Sequence, residues 1–361
     1  MEEQAYIIHM KVLYLYAGPR KKVYDLWKKG LEPDTQLIGL NYMGENGIDA
    51  RFLENRSTEF FRRISFNLTQ LPGLFQFRRY DLVFSGAGLA TLFLVKYVLR
   101  WKRPRWVMYN TYLSNVLQRN ASALKGWFVR KAVFAADAIV SPSRAQAEYL
   151  RAAGLPERKN FYVPYGVDGN FYLSGAADRP ERLIPERYIF SAGRDVGRDY
   201  KTLLAIADDL PAKVVIAAPP RSFQDIPHMP KNVLINYFPA SSMPNLYANA
   251  ELSVIPTIAE EKLKGSDCSG QYVLLESMVS ARAVVTSART TLPDYFTSGE
   301  DGITVPPEDA AALKQAIVRL LLNPGEAQAF GKHAQAKALS LFATKRFAAD
   351  LARVFCEVVE A

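Results

Sequence analysis

Arg187-Tyr-Ile-Phe-Ser-Ala-Gly193-Arg194-Asp-Val-Gly-Arg198-Asp-Tyr-Lys201 decides the fold. It opens on a run of β-formers, turns at a glycine, and passes into the apolar spacing of a helix. The same strand, turn and helix grammar recurs on both sides. Downstream it appears at Lys213-Val-Val-Ile216, Asn232-Val-Leu-Ile235, Leu252-Ser-Val-Ile255, Ala283-Val-Val285 and Ile303-Thr-Val305. Upstream it appears at Lys11-Val-Leu-Tyr-Leu-Tyr16, Asp81-Leu-Val-Phe84, Trp106-Val-Met-Tyr109 and Ala138-Ile-Val140. Strands alternating with helical segments predict parallel sheets covered on both faces, so the expected class is α/β, with two Rossmann-like domains facing across a cleft. Residues 1–175 are expected to form the first domain and 176–345 the second. A terminal helix, 346–361, carries Phe347, Leu351, Val354, Phe355 and Val358 on one face and is expected to pack across either domain, with return to the first domain as one arrangement.

Composition bounds the answer further. The 361 residues are 49% hydrophobic and 22% charged, which excludes a disordered or collagenous chain. Cys268 and Cys356 stand far apart and form no disulfide framework, and no cleavable leader pattern opens the chain, so a reduced, cytoplasmic setting is expected. The longest apolar stretch, 82–95, is broken by Ser85, Gly86, Gly88 and Thr91 and falls short of the ~20 residues that a spanning helix needs. His9, His228 and His333 are scattered and suggest no metal site, so neither metal nor cofactor is expected.

The net charge of +9 is uneven. Residues 1–177 hold 25 basic against 14 acidic side chains, and residues 51–130 hold 14 against 3. Such a patch concentrates an anionic partner: nucleic acid, an acidic membrane surface or a phosphorylated substrate. The segment holds no recognised nucleic-acid motif, so nucleic acid is set aside. An anionic membrane surface stays as an expected partner, with the protein peripheral on the inner membrane face.

Two constellations carry candidate chemistry. In the opening stretch, Gly193, Arg194, Arg198 and Lys201 lie between a strand end and a helix start, which suits a phosphate; a salt-bridged loop neutralised by Asp195 and Asp199 is the equal alternative. The second is Cys268-Ser269-Gly270-Gln271-Tyr-Val-Leu-Leu-Glu276, a glycine turn running into a helix with an early carboxylate. Glu276 suits a ribose diol, or answers only the helix dipole.

Read with Ala135-Ala-Asp137-Ala-Ile-Val-Ser-Pro-Ser143, Val163-Pro-Tyr-Gly166-Val-Asp168, Asn245-Leu-Tyr247-Ala and Gly302-Ile-Thr-Val-Pro-Pro307, these segments resemble the retaining glycosyltransferases of family 4, which have the GT-B fold. The resemblance is strong from about Ala135 to Leu322. It implies transfer of a sugar from a nucleotide-diphosphate sugar to a glycan or lipid-linked acceptor, as in cell-envelope or polysaccharide biosynthesis, without a metal. It assigns Arg194 and Lys201 to the leaving diphosphate, where Arg198 replaces or supplements Lys201. Gly193, Ser269, Gly270 and Gln271 fall to the sugar and phosphates, and Glu276 to the ribose. Gly18 stands in the turn after the first strand, where backbone can approach donor or acceptor. Asn110 lies on the acceptor side, where Tyr109-Asn110-Thr111 replaces a frequent histidine. Cys268 stands where the family often has the first acid of a Glu-x7-Glu pair, so that acid is missing or is replaced by nearby Asp267. These departures keep a second expectation in view, a catalytically impaired GT-B protein that binds a sugar nucleotide or a protein partner.

Overall fold

The computed structural model describes residues 10–53, 70–119, 123–177, 181–224, 226 and 229–361. His9, His228, Arg62 and Arg63, and with the latter two a large part of the basic segment, lie outside the described residues. The chain divides into two compact units: Met1–Leu26, Asp34–Pro164 and Thr344–Ala361 form the first, and Trp27–Pro33 with Tyr165–Ala343 the second.

The first unit is built on β1 (Met10–Leu15), β2 (Ile48–Phe52), β3 (Leu82–Ser85), β4 (Arg105–Tyr109), β5 (Ala138–Ser141) and β6 (Asn160–Tyr162), in the order β2-β1-β3-β4-β5-β6. All neighbours are parallel. Between them run α1 (Lys21–Trp27), α2 (Leu89–Leu92) continuing as a π-helical turn Phe93–Val98, α3 (Leu113–Arg119), α4 (Ala123–Phe134) and α5 (Arg144–Ala152). β3 and β5 are buried along their whole length, as strands of an internal parallel sheet must be. Leu13, Val83, Trp106, Met108, Val133, Ile139 and Leu150 join in one core.

The second unit contains β7 (Tyr188–Ala192), β8 (Lys213–Ala217), β9 (Val233–Asn236), β10 (Ser253–Ile255), β11 (Val284–Ser287) and β12 (Gly302–Val305), all parallel, in the order β12-β11-β10-β7-β8-β9. Counted from its own first strand, this is the order of the dinucleotide-binding fold. Its helices are α6 (Gly169–Ala177), α7 (Tyr200–Ala205), α8 (Met243–Asn249), α9 (Gln271–Val279), α10 (Ala310–Leu322) and α11 (Pro324–Leu341). Gly302 has φ +150°, and a Cβ there would meet Val284 O at 2.1 Å, so β12 reaches β11 only as glycine.

The last helix, α12 (Thr344–Glu360), belongs to the first unit. Phe355 lies against Tyr14 of β1 and Phe84 of β3 with ring centroids 6.3 and 5.2 Å apart, and Phe347 lies 6.0 Å from Tyr109 of β4. The second unit begins at Tyr165, ahead of the expected 176, because this segment packs there. The Tyr165 amide donates to Tyr295 Oη at 2.9 Å, and its ring lies 4.4 Å from that of Tyr272. No helix among the described residues is long and apolar enough to cross a membrane.

Candidate functional site

In a doubly wound sheet the ligand crevice opens where the strand order reverses, beyond the carboxyl ends of the two strands at that point. In the second unit those strands are β7 and β10. Gly193, just past β7, has φ +135°, and a Cβ on it would come within 2.9 Å of Arg198 Nε. Its amide donates to Ala217 O at 3.1 Å. Arg198 then pairs with Thr257, just past β10, and the Asp199 amide donates to Pro256 O at 3.0 Å. The loop is thereby drawn across the switch point.

Arg198 is only 7% exposed. Its Nη2 donates to Ser191 Oγ at a long 3.4 Å, while Nε and Nη1 are buried without a hydrogen-bond partner. A buried guanidinium with two open donors is costly unless an anion completes it. No carboxylate among the described residues lies within ion-pair distance of Arg194, Arg198 or Lys201. The two aspartates of the loop are engaged elsewhere. Asp195 accepts from Gly197 N at 2.8 Å and Ser266 N at 3.1 Å, and Asp199 caps α7 through Thr202 N at 3.1 Å. This decides against the self-neutralised loop.

The Asp195 clamp brings the second constellation to the first. A Cβ on Gly197 would stand 3.0 Å from Ser269 Oγ, and one on Gly270 would stand 3.1 Å from Arg198 Nη1. Gly270, with φ +93°, precedes α9, whose start has no side-chain cap. Ser269 Oγ, Gln271 Oε1 and Thr257 Oγ1 are also buried without partners, while Gln271 Nε2 is fixed on Thr291 Oγ1 at 2.7 Å. The result is a buried cation, the positive end of a helix and several unused polar atoms in one place, a setting for a polyanionic group. Arg194 and Lys201 are exposed, and no contact joins their side chains to this set.

Glu276 follows Gly270 by six residues along α9, a rise of ~9 Å. One carboxylate oxygen accepts from Tyr247 Oη at 2.9 Å, and the Tyr172 hydroxyl also hydrogen-bonds the group. Burial pushes its pKa up to about 7, against the two hydroxyls, which favour the charged form. An acid poised near neutrality beside a polar crevice is a functional signature. Cys268 is buried, and burial, followed by nearby Asp267, holds its thiol well above the ordinary range, so it is no nucleophile.

In the first unit, Gly18 follows β1 at the switch beside β3. A Cβ there would come no nearer than 3.6 Å to Arg20 Nη1, so nothing in the protein itself demands glycine. Asn110 is fully buried at the end of β4. Its Oδ1 accepts from Leu113 N at 2.9 Å, starting α3, and its Nδ2 donates to Ser141 Oγ at 3.1 Å. Asn110 thus ties β4, β5 and α3 together. Sequence reasoning missed Thr257, the Asp195 clamp and the Tyr172–Tyr247 pair around Glu276. The one sequence signal for Thr257 was its place two residues past the strand run Leu252–Ile255, while its pairing with Arg198 was not readable; Tyr172 carried no local signal.

Two family models match complementary parts of the chain, the group 1 glycosyl transferases over residues 200–323 and glycosyltransferase family 4 over residues 28–171. No curated protein matches the sequence. Among solved structures, sucrose-phosphate synthase from Thermosynechococcus elongatus is 15% identical with a TM-score of 0.72, over 96% of this chain and 98% of that one. Anabaena Alr3699/HepE in complex with UDP-glucose is 16% identical with a TM-score of 0.71, over 96% and 99%. WaaG, a glycosyltransferase involved in lipopolysaccharide biosynthesis, is 14% identical with a TM-score of 0.59, over 94% and 99%. With the two sheets and their strand orders, these findings show that the chain has the GT-B fold and belongs to the group 1 glycosyltransferases.

Proposed function

We propose that the protein is a retaining, metal-independent hexosyltransferase, taking its sugar from a nucleotide-diphosphate donor and passing it to a glycan or lipid-linked acceptor of the cell envelope or a polysaccharide. The observation that carries this reading is the buried Arg198 guanidinium, with Nε and Nη1 unpartnered between Gly193 and Gly270. Transfer breaks the bond from the sugar's anomeric carbon to the diphosphate and forms a new one to the acceptor oxygen on the same face. The acceptor proton leaves with a phosphate oxygen of the departing group. The barrier then falls with every group that stabilises charge developing on that diphosphate. Arg198 and the start of α9 supply this from fixed positions, with Arg194 and Lys201 adding charge from the solvent side. Ser269, Gly270 and Gln271 lie along the sugar and phosphates, and Glu276 accepts from the ribose diol. Gly18 and the neighbourhood of Asn110 fall on the acceptor side. The cytoplasmic face of a membrane is where a lipid-linked acceptor would be met.

HepE was solved with UDP, UDP-glucose and glucose, which makes uridine donors the first to try. Thermal stabilisation across UDP, GDP, ADP and their sugar conjugates tests the reading, since a ligand that binds only the folded chain raises its melting point. A shift with one base that vanishes in Arg198→Ala supports it. A full shift in that variant, or none with any nucleotide, overturns the donor site as drawn. The buried Cys268, standing where the family often has an acid, favours a second reading of a binding protein without turnover. Donor binding with neither transfer nor donor hydrolysis across an acceptor panel would establish it.

A further inference from the structure

Between Asp81 and Asp137 the sequence has nine lysines and arginines and no acidic residue. Lys96 is buried against Asp137 at 2.6 Å, whereas Arg100, Lys102, Lys125 and Lys131 are exposed. The same stretch supplies the π-helical turn Phe93–Val98 and α4. A helix covering a sheet is normally polar on its outer side. α4 buries Val129, Ala132 and Val133 in the core, yet its outer side carries Leu124 at 82% and Trp127 at 47% exposure.

Trp127 belongs to an aromatic cluster. The Trp127 ring stands edge-on to Tyr97 at 6.0 Å and to Phe93 at 6.3 Å, and Phe93 stacks on Tyr97 at 4.8 Å. Val98, 54% exposed, and Leu99 follow directly. Single exposed apolar side chains need no explanation, but a connected group marks a contact surface. Charge selects the partner. Tryptophan, tyrosine and leucine set among lysine and arginine, with no carboxylate in the whole stretch, match the boundary between anionic headgroups and acyl chains.

We propose that this face of the first unit docks on an anionic phospholipid bilayer, with Trp127, Tyr97 and Leu124 entering the headgroup layer and Lys131, Arg100 and Lys102 lying against phosphates. The inference deepens the reading of a lipid-linked acceptor and rests on it for its purpose, while the docking itself needs no catalysis.

Flotation of the full chain with vesicles tests it. The protein is expected to float with phosphatidylcholine mixed with phosphatidylglycerol, poorly with phosphatidylcholine alone, and less as salt rises. Leu124→Ser with Trp127→Ser should weaken partitioning at least about tenfold. Lys102→Glu with Lys131→Glu should do so by about fivefold or more per residue. Both pairs should keep the parent melting temperature and the UDP shift. Flotation unchanged in both pairs, or absent with phosphatidylglycerol vesicles, overturns the proposal, as does binding of single-stranded oligonucleotides in place of vesicles. Failed flotation with the UDP shift intact leaves the transferase reading standing; flotation without any nucleotide shift removes that reading alone.

Discussion

The Cα of Gly270 faces Arg198 Nη1 so closely that a Cβ would stand 3.1 Å from it, and 2.9 Å from Ile255 Cγ2, at a φ of +93°. The start of α9 and the guanidinium can share one anion only while residue 270 has no side chain. Gly270→Ala is expected to destabilise the protein by about 1–3 kcal/mol and to abolish the nucleotide shift. Urea unfolding with and without UDP measures both; an unaltered shift would place the anion elsewhere.

Arg198 should trade stability for function. Its buried charge, with Nε and Nη1 lacking hydrogen-bond partners, is a burden on the free protein, so Arg198→Met is expected to raise the melting temperature while removing the nucleotide shift. Arg198→Lys, which keeps charge but loses the planar fork, should retain a reduced shift. A melting temperature lowered in Arg198→Met would show that the guanidinium holds the loop together.

On the proposed reading, Glu276 makes the donor site pH-dependent. Its folded value of about 7 lies above the ordinary range for glutamate, so the free folded chain holds this proton more tightly than the unfolded chain. The stability it contributes is complete below the unfolded value, ~4.3, and is lost as pH rises through about 7. Acceptance from a diol has the opposite trend, strengthening as the carboxylate ionises. Calorimetric titration of UDP between pH 6 and 8 should therefore show tighter binding at the alkaline end, beyond the change due to the phosphate itself. Glu276→Gln should remove that excess. A profile shared by both proteins would take Glu276 out of the site.

Asp195 holds the loops around Arg198 and Ser269 in one arrangement through the amides of Gly197 and Ser266. Asp195→Ala should raise the donor KM tenfold or more, since each charge-assisted bond is worth roughly 1.5–3 kcal/mol. Donor affinity equal to the parent's would make the clamp dispensable.

Much of this was legible in the sequence. All six strands of the second sheet, and β1, β3, β4 and β5 of the first, coincide with short β-forming runs read from the sequence, whereas β2 and β6 at the two edges of the first sheet were not among them, and family motifs in order pointed to the GT-B fold. Gly193, Arg198, Ser269, Gly270 and Gln271 were named from the sequence and converge in the structure. What could not be read was which cation is buried. Arg194, Arg198 and Lys201 look alike in a loop, and only the pairing of Arg198 with Thr257 across the switch draws its side chain inward. Asn110 illustrates the reverse: a polar residue at a strand end invites a ligand, but its amide closes onto Leu113 and Ser141.

The aromatic wall formed by Tyr14, Phe84 and Tyr109 gives a test of the first unit's integrity. Phe355→Ala, at a fully buried position, should destabilise that unit by about 3–5 kcal/mol. Hydrogen exchange should localise the loss to β1, β3, β4 and α12, with residues 165–343 unaffected. Uniform loss of protection would mean the two units unfold as one.

Because α12 is made after residues 165–343 and completes the first unit, order of synthesis and order of completion run opposite ways. A growing chain presents an unfinished aromatic surface throughout translation of residues 165–343, which carry a whole sheet of their own. The later-born unit is the first able to close. A premature stop within the seventeen residues of α12 therefore harms a unit most of which was made before residues 165–343.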